Sequence, residues 1–353
     1  MRARRGIAVA AVALLAVLTA GCTAPPDPKA WLLEPVPFAP GGEAPVDVAY
    51  AQDQLVPDGA GGFWGASGTT WRHVDAAGTT LAHFNIDISE LGARMPLLAP
   101  LSTTELLVAD RFGARLGIRD NAAGTTRALG SLFPDGRYAP IAAIDSRGRV
   151  AYVALLRPAT PDAPRTLTLE IVRLDVDDGT RAVLHTEPIT ILPPNSSDSG
   201  PQVRLDVQED GSILLLTPTG LALLAPDGSV RSRIASDQPM SALALGAGSE
   251  VLWWGGSVTG PPSATRASAA PVRVEVRGGS AEARASIERH STCDDGRTLR
   301  LVSTGGGTLQ TTARLPFLCD GRAGVWTGSA WIVSIGGEGD GVLVRVTPPR
   351  TGG

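Results

Sequence analysis

The histidines of this chain are spaced in a way that argues against a metal centre. His73, His83, His185 and His290 are the whole set, and no two form an H-x-H or H-E-x-x-H pattern of the kind zinc sites use. His73 and His83 stand on either side of one predicted hairpin, so packing on a sheet surface explains them better than metal ligation. The sequence therefore predicts no metal site built on histidine.

Two acidic, glycine-containing segments invite a comparison with calcium loops. Residues Asp175 to Gly179 place carboxylates near one another, but the glycine is fifth rather than sixth and no glutamate follows at the required distance. A hairpin turn closed by Asp178 and Gly179 accounts for the segment more simply. We interpret Glu338 to Gly341 as a turn for the same reason.

Covalent and cofactor chemistry also lack a motif. The chain has no G-x-S-x-G elbow, and Ser257 lacks the closing glycine that such an elbow needs. Gly337-Glu338-Gly339 does not open a helix, so it is not a dinucleotide-binding loop. We therefore predict no catalytic residue and no cofactor.

The N-terminus has the features of an export signal. Arg2, Arg4 and Arg5 precede an apolar stretch from Ile7 to Ala20, which is shorter than the roughly 20 residues of a membrane span. Leu18-Thr19-Ala20-Gly21-Cys22 resembles the lipobox of bacterial lipoproteins, although Thr19 stands where that family usually has leucine. The resemblance implies cleavage before Cys22 and diacylglycerol on its thiol; the alternative is an ordinary secretory signal with an accidental cysteine.

This interpretation divides the chain into three parts. Residues 1–21 are the signal peptide, residues 22–30 the lipidated cysteine with a proline-rich tether, and residues 31–353 the folded domain. Diacylglycerol with a possible N-acyl chain would give a stable anchor. The expected location is the extracytoplasmic face of the cell membrane.

The other two cysteines, Cys293 and Cys319, are a disulfide candidate in an exported chain. Closing the loop between them would be worth roughly 3 kcal/mol. Two buried free thiols are the alternative. Because both cysteines precede similar Asp-Gly segments, they could also occupy equivalent positions in neighbouring repeats, beyond the ~7 Å bridging limit.

Short strands and glycine turns recur along the chain and predict an all-β fold. Between Val203 and Ile234, four apolar runs are joined by turns that contain glycine. Four antiparallel strands of this length make one β-propeller blade. The repeat predicts six or seven blades, with seven preferred if the region Leu299 to Leu315 is a shortened blade. We find no 3.6-residue periodicity of helical length after the signal peptide.

The repeat pattern is similar to that of NHL or YWTD propellers, and a pair of β-sandwiches is the alternative fold. Trp253 and Trp254 are adjacent, so on a strand they point to opposite faces. One of them is a candidate ligand contact in the channel or on the surface, and packing between blades is the alternative.

Composition limits the partners. The net charge of −4 falls further when the arginines of the signal peptide are removed, so nucleic acid is excluded as a partner. The expected function is a lipid-anchored, non-enzymatic module that binds an envelope protein or a small ligand. The alternative is a propeller hydrolase or lyase with an acidic site at its central channel, which rests on fold analogy alone.

Overall fold

The computed structural model describes fifteen segments of the chain. They are 27–37, 54–67, 70–85, 96–110, 115–132, 140–158, 166–190, 203–235, 240–245, 250–255, 272–290, 298–315, 317–318, 321–336 and 341–349.

These segments form six sheets, each a blade of a propeller, whose first strands are innermost. Blades 1 to 4 are simple meanders with strands in chain order. Their strands are β2 Gln54–Pro57, β3 Phe63–Ser67, β4 Thr70–Val74, β5 Thr80–Asn85; β6 Pro96–Pro100, β7 Glu105–Asp110, β8 Arg115–Asp120, β9 Thr125–Ser131; β10 Ile141–Arg147, β11 Val150–Pro158, β12 Thr166–Asp175, β13 Arg181–Thr190; and β14 Arg204–Val207, β15 Ile213–Thr217, β16 Gly220–Leu224, β17 Val230–Ala235.

Blades 5 and 6 depart from this order. Blade 5 has an insertion between its second and third strands, and blade 6 takes its fourth strand from the N-terminus. The remaining strands are β1 Trp31–Pro35, β18 Met240–Leu245, β19 Glu250–Gly255, β20 Val274–Val276, β21 Thr298–Ser303, β22 Gln310–Leu315, β23 Gly321–Trp326, β24 Trp331–Ile335 and β25 Val342–Thr347.

The ring closes through β1, which pairs antiparallel with β25 and completes blade 6. The inserted strand β20 then pairs parallel with the outer side of β1, so the closing strand has a hydrogen-bonded neighbour on both sides. The inner strands of successive blades touch one another around the ring, including β2 against β23. The core consists of apolar clusters between adjacent blades.

The preferred count of seven blades is wrong, and the alternative of six is correct. The region Leu299 to Leu315 is the outer half of blade 5, because β21 pairs with β19 and β22 pairs with β21. The insertion separates these strands from the first half of their blade in sequence. That separation made the hairpin resemble an independent unit.

The insertion also contains a helix that the sequence pattern did not predict. Helix α1 spans Ala281–His290, and three of its residues are buried: Ala283, Ser286 and Ile287. Ile287 packs into the cluster between blades 5 and 6. One narrow apolar contact leaves little 3.6-residue periodicity to detect.

Within the described residues, no helix has both the length and the apolar character needed to cross a bilayer.

Candidate functional site at the central channel

The inner strands enclose a cavity of about 310 Å³ at the centre of the ring. Residues of blades 1, 2, 3, 4 and 6 line it, and much of the wall is apolar, with side chains such as Leu55, Leu98 and Val325. Polar groups are concentrated on β14 and on the facing part of β10. A concave apolar space with a few polar groups is the usual form of a small-molecule site.

Asp145 and Asp206 are the acidic pair of this cavity, and they lie on the inner strands of neighbouring blades. The carboxylate of Asp145 accepts hydrogen bonds from two backbone N–H groups. Its Oδ2 lies 2.6 Å from the nitrogen of Val207, across the blade boundary, and its Oδ1 lies 2.8 Å from the nitrogen of Ser146. These bonds fix Asp145 between blades 3 and 4, and its side chain is hydrogen bonded to that of Asp206.

Both carboxyl groups bind protons more tightly than free aspartate. Burial raises the pKa of Asp145 to about 6, although its backbone hydrogen bonds act in the opposite direction. Burial, the adjacent charge of Asp145 and the hydrogen bond between the two side chains raise the pKa of Asp206 well above its usual range. Asp206 therefore keeps its proton to higher pH than a free aspartate does, and the protonated carboxyl group can donate its hydrogen bond to the Asp145 carboxylate.

The wall of the cavity also contains one arginine and two glutamines. Arg204 lies two residues before Asp206 on β14, and its Nη1 bonds to the carbonyl of Val203 at 3.3 Å. Gln54 bonds to the carbonyl of Pro96, and Gln208 bonds to Thr304. The glutamine contacts join adjacent blades rather than reaching the acidic pair.

Trp326 gives the cavity an aromatic side chain at the end of β23. It is half-buried and packs edge-on against Trp331, with ring centroids 4.7 Å apart at 63°. Trp331 in turn stacks on Trp31 of the closing strand, with centroids 6.1 Å apart. A row of three tryptophans thus runs from the N-terminal strand to the channel wall.

Of the site residues predicted from the sequence, the structure describes the side chain of Trp253 alone. Trp253 is completely buried between blades 4 and 5, with the Arg300 guanidinium 4.9 Å from its ring centroid, so it packs inside the fold. The side chain of Trp254 lies outside the described part of the structure, as do Cys22 with its lipobox, Cys293 and Cys319.

The segments weighed as metal sites have structural contacts. The segment from Asp175 forms the hairpin turn between β12 and β13, with Gly179 at φ 75°. His73 stacks on Trp64, ring centroids 4.1 Å apart, and its Nε2 lies 2.8 Å from Oδ2 of Asp58. Within the segments that the structure describes, no three His, Cys, Asp or Glu side chains are grouped closely enough to hold a metal ion.

Sequence reasoning missed the acidic pair. The available signal was an aspartate that follows apolar residues near the end of an inner strand, in Ile141-Ala142-Ala143-Ile144-Asp145 and in Val203-Arg204-Leu205-Asp206-Val207. Each stands just before the first turn of its blade, at equivalent ends of neighbouring strands. Carboxylates at matching positions of adjacent inner strands meet at the channel.

Comparison with known proteins supports the fold. No protein-family model and no curated protein matches the sequence. Among solved structures, a calcium-binding protein, regucalcin, from Agrobacterium tumefaciens is 12% identical with a TM-score of 0.50, covering 90% of this chain and 96% of its own. Streptogramin B lyase is 10% identical with a TM-score of 0.46, covering 90% and 98%. The RRP9 WD40 repeats are 10% identical with a TM-score of 0.43, covering 84% and 94%. At these identities the likeness extends to the β-propeller fold alone.

Proposed function

We propose that this chain is a lipid-anchored propeller of the cell envelope that binds a small ligand in its central channel. The observation that carries the proposal is the pair Asp145 and Asp206, which places two hydrogen-bonded carboxyl groups with raised pKa values in a cavity with largely apolar walls. The signal sequence and the cysteine at position 22 support export and anchoring. Binding rather than turnover is the primary function.

The chemistry of the wall favours an organic cation as ligand. An ammonium group would attract the Asp145 carboxylate, and its hydrogen-bond donors match carboxyl oxygens. The half-buried ring of Trp326 adds an aromatic surface for an apolar or cationic part of the ligand. The cavity volume accommodates a molecule of metabolite size.

Calorimetric titration with phenethylamine and with neutral 2-phenylethanol, which differ in one functional group, tests this chemistry. We expect the amine to bind more tightly than the alcohol, and Asp145→Asn to weaken amine binding roughly tenfold or more. Asp227→Asn, at an exposed turn of blade 4, is the matched control and should bind as the wild type does. Equal binding of the two probes would contradict a cation site.

A hydrolase or lyase is the second candidate, because two carboxylates that share a proton can serve as acid and base. Asp206 would donate the proton and Asp145 would accept one. A screen with lactones and aryl glycosides tests this function. An activity that falls about 100-fold or more in Asp206→Asn, but not in Asp227→Asn, would establish the enzyme.

Anchoring has its own test. A Cys22→Ala variant should keep its fold, measured by circular dichroism, and leave the membrane fraction for the soluble one. Retention in the membrane fraction after a salt wash would contradict the lipid anchor, because no thioether could then hold the chain.

A further inference from the structure

The two faces of the disc differ in what they expose. Each inner strand runs from one face to the other and ends at the turn to the second strand of its blade. Asp145, Asp206 and Trp326 all lie at or near these ends, on β10, β14 and β23. We call the face that bears these first turns the acid face.

The N-terminal strand enters the fold from the acid face. Trp326 pairs with Trp331 beside the first turn of blade 6, and Trp331 pairs with Val346 of β25. The next residue of β25, Thr347, pairs with Leu32 of β1, so the start of β1 lies at the level of that turn. The ring of Trp31 stacks on that of Trp331, which also places the start of β1 beside the first turn of blade 6.

A clamp fixes the chain just before β1. Asp27 accepts a hydrogen bond from Arg273 through Oδ2, at 2.9 Å, and its own N–H donates to the Glu275 carboxylate at 3.3 Å. The backbone nitrogen of Trp31 donates to the carbonyl of Arg273 at 2.8 Å. The insertion of blade 5 thereby holds Asp27 at the outer rim of blade 6.

The distance from this clamp to the expected lipid is short. The segment from Cys22 to Asp27 spans at most about 18 Å when fully extended. A strand of five to six residues is about as long, roughly 17–20 Å, and sets the height of the disc. The tether is thus about as long as the disc is high. A chain anchored at Cys22 therefore cannot place the other face against a bilayer.

We propose that the acid face is the membrane-facing side of the propeller, so that the channel mouth with Asp145 and Asp206 opens toward the bilayer surface. The inference rests on the proposed lipidation of Cys22. The partner of this face is the lipid surface itself. Ligands reach the acidic pair through the gap between the disc and the headgroups, which favours molecules that reside in or near the membrane.

Two labels in blade 4 test this orientation. Glu209 is exposed at the first turn of the blade, on the acid face, and Thr219 is exposed at its second turn, on the other face. The lipidated chain with Glu209→Cys or Thr219→Cys is labelled with a maleimide donor and bound to vesicles containing an acceptor-labelled lipid headgroup. Chain without an added cysteine measures background labelling.

We expect stronger energy transfer from position 209 than from position 219. Equal transfer, or stronger transfer from position 219, would overturn the orientation. Insertion of a 20-residue Gly/Ser segment between Cys22 and Asp27 should remove the difference while the lipid and the fold remain, because a long flexible linker no longer restricts the disc. A difference that persists in this variant also overturns the role of the tether. A chain that fails to float with vesicles refutes the anchor itself, which flotation shows before any transfer is measured.

Discussion

The seam between blades 3 and 4 has carboxylates at both its inner and its outer end. The two ends differ in the partners of these groups and in the direction of their pKa shifts. At the outer end, Glu187 of β13 is 12% exposed and contacts Arg233 of β17 and His185. Burial alone would raise its pKa, but hydrogen bonds from His185 and Arg233 outweigh burial and lower it. At the inner end, Asp145 and Asp206 have each other, and their pKa values rise.

This contrast shows two ways in which the fold accommodates an acid at a blade boundary. A buried carboxylate with cationic partners has its charge neutralised within the fold and joins two blades. The pKa values of Asp145 and Asp206 are raised chiefly by burial, so the pair is costly to ionise, and a bound cation or proton reduces that cost. The inner end of the seam is therefore where a ligand would be recognised.

The largest effect is expected from a substitution that disrupts the outer end of the seam through a clash with the backbone. Gly228 has a φ of 84°, and an added Cβ would lie 2.0 Å from the carbonyl oxygen of Leu184 on blade 3. We expect Gly228→Ala to destabilise the fold by about 4 kcal/mol in urea unfolding. Gly124→Ala also has a positive φ but meets no atom within 4 Å, and should cost only about 1 kcal/mol. Equal losses would show that the blades do not approach as described.

The second effect removes the cation from Glu187. Arg233→Met should cost about 1–2 kcal/mol at pH 7, since Arg233 is partly exposed. The folded pKa of Glu187 lies below its ordinary value, so its stabilisation is present above about pH 4.5 and is lost as pH falls through the folded pKa. Urea unfolding at pH 7 and pH 3 should show the difference between variant and wild type shrink in acid. A difference that is independent of pH would contradict the ion pair.

At the inner end of the seam, the contribution to folding stability should change with pH in the opposite direction. The folded chain holds protons on Asp145 and Asp206 that the unfolded chain releases near pH 4, so this pair makes stability fall as pH rises from 4 through about 6. Asp206→Asn retains a hydrogen-bond donor and removes one of these protons. We expect it to stabilise the fold at pH 8, where the wild-type carboxyl group is costly to ionise, and to change little at pH 4. Destabilisation at pH 8 would contradict the raised pKa.

The smallest effect concerns the closing strand. Arg273 is 70% exposed, so Arg273→Ala should change global stability by less than about 1 kcal/mol. Amide exchange at Trp31, whose N–H bonds to the backbone of Arg273, should nevertheless become faster as the clamp loosens. Unchanged exchange would indicate that β20 alone holds the strand.

Local patterns were sufficient to predict the blades that are continuous in sequence. The four runs between Val203 and Ile234 are the four strands β14 to β17, because strand length, alternation and turn glycines are all encoded within 35 residues or so. Blade 5 was misassigned because its halves are separated by the insertion. The parallel pairing of β20 with β1 joins segments that are far apart in the sequence, and no local pattern encodes such pairing.

The candidate site depends on the ring itself. Asp145 and Asp206 are 61 positions apart in the sequence, and they become neighbours only when the inner strands of adjacent blades meet. Trp253 was a candidate ligand contact because it is a large aromatic residue in a strand. Its burial depends on how blades 4 and 5 pack, which the strand pattern does not show. Predicting the strands was therefore possible without predicting the site.

The most direct test of the acidic pair is a carbon-13 NMR titration of the aspartate carboxyl groups, with Asp145→Asn and Asp206→Asn used to assign the signals. We expect one aspartate that titrates near pH 6 and a second whose pKa is also raised. Asp145→Asn should reduce the shift of Asp206, whereas Asp206→Asn should leave the pKa of Asp145 raised, because burial is its cause. Titration of both carboxyl groups near pH 4, as in free aspartate, would contradict the raised pKa values.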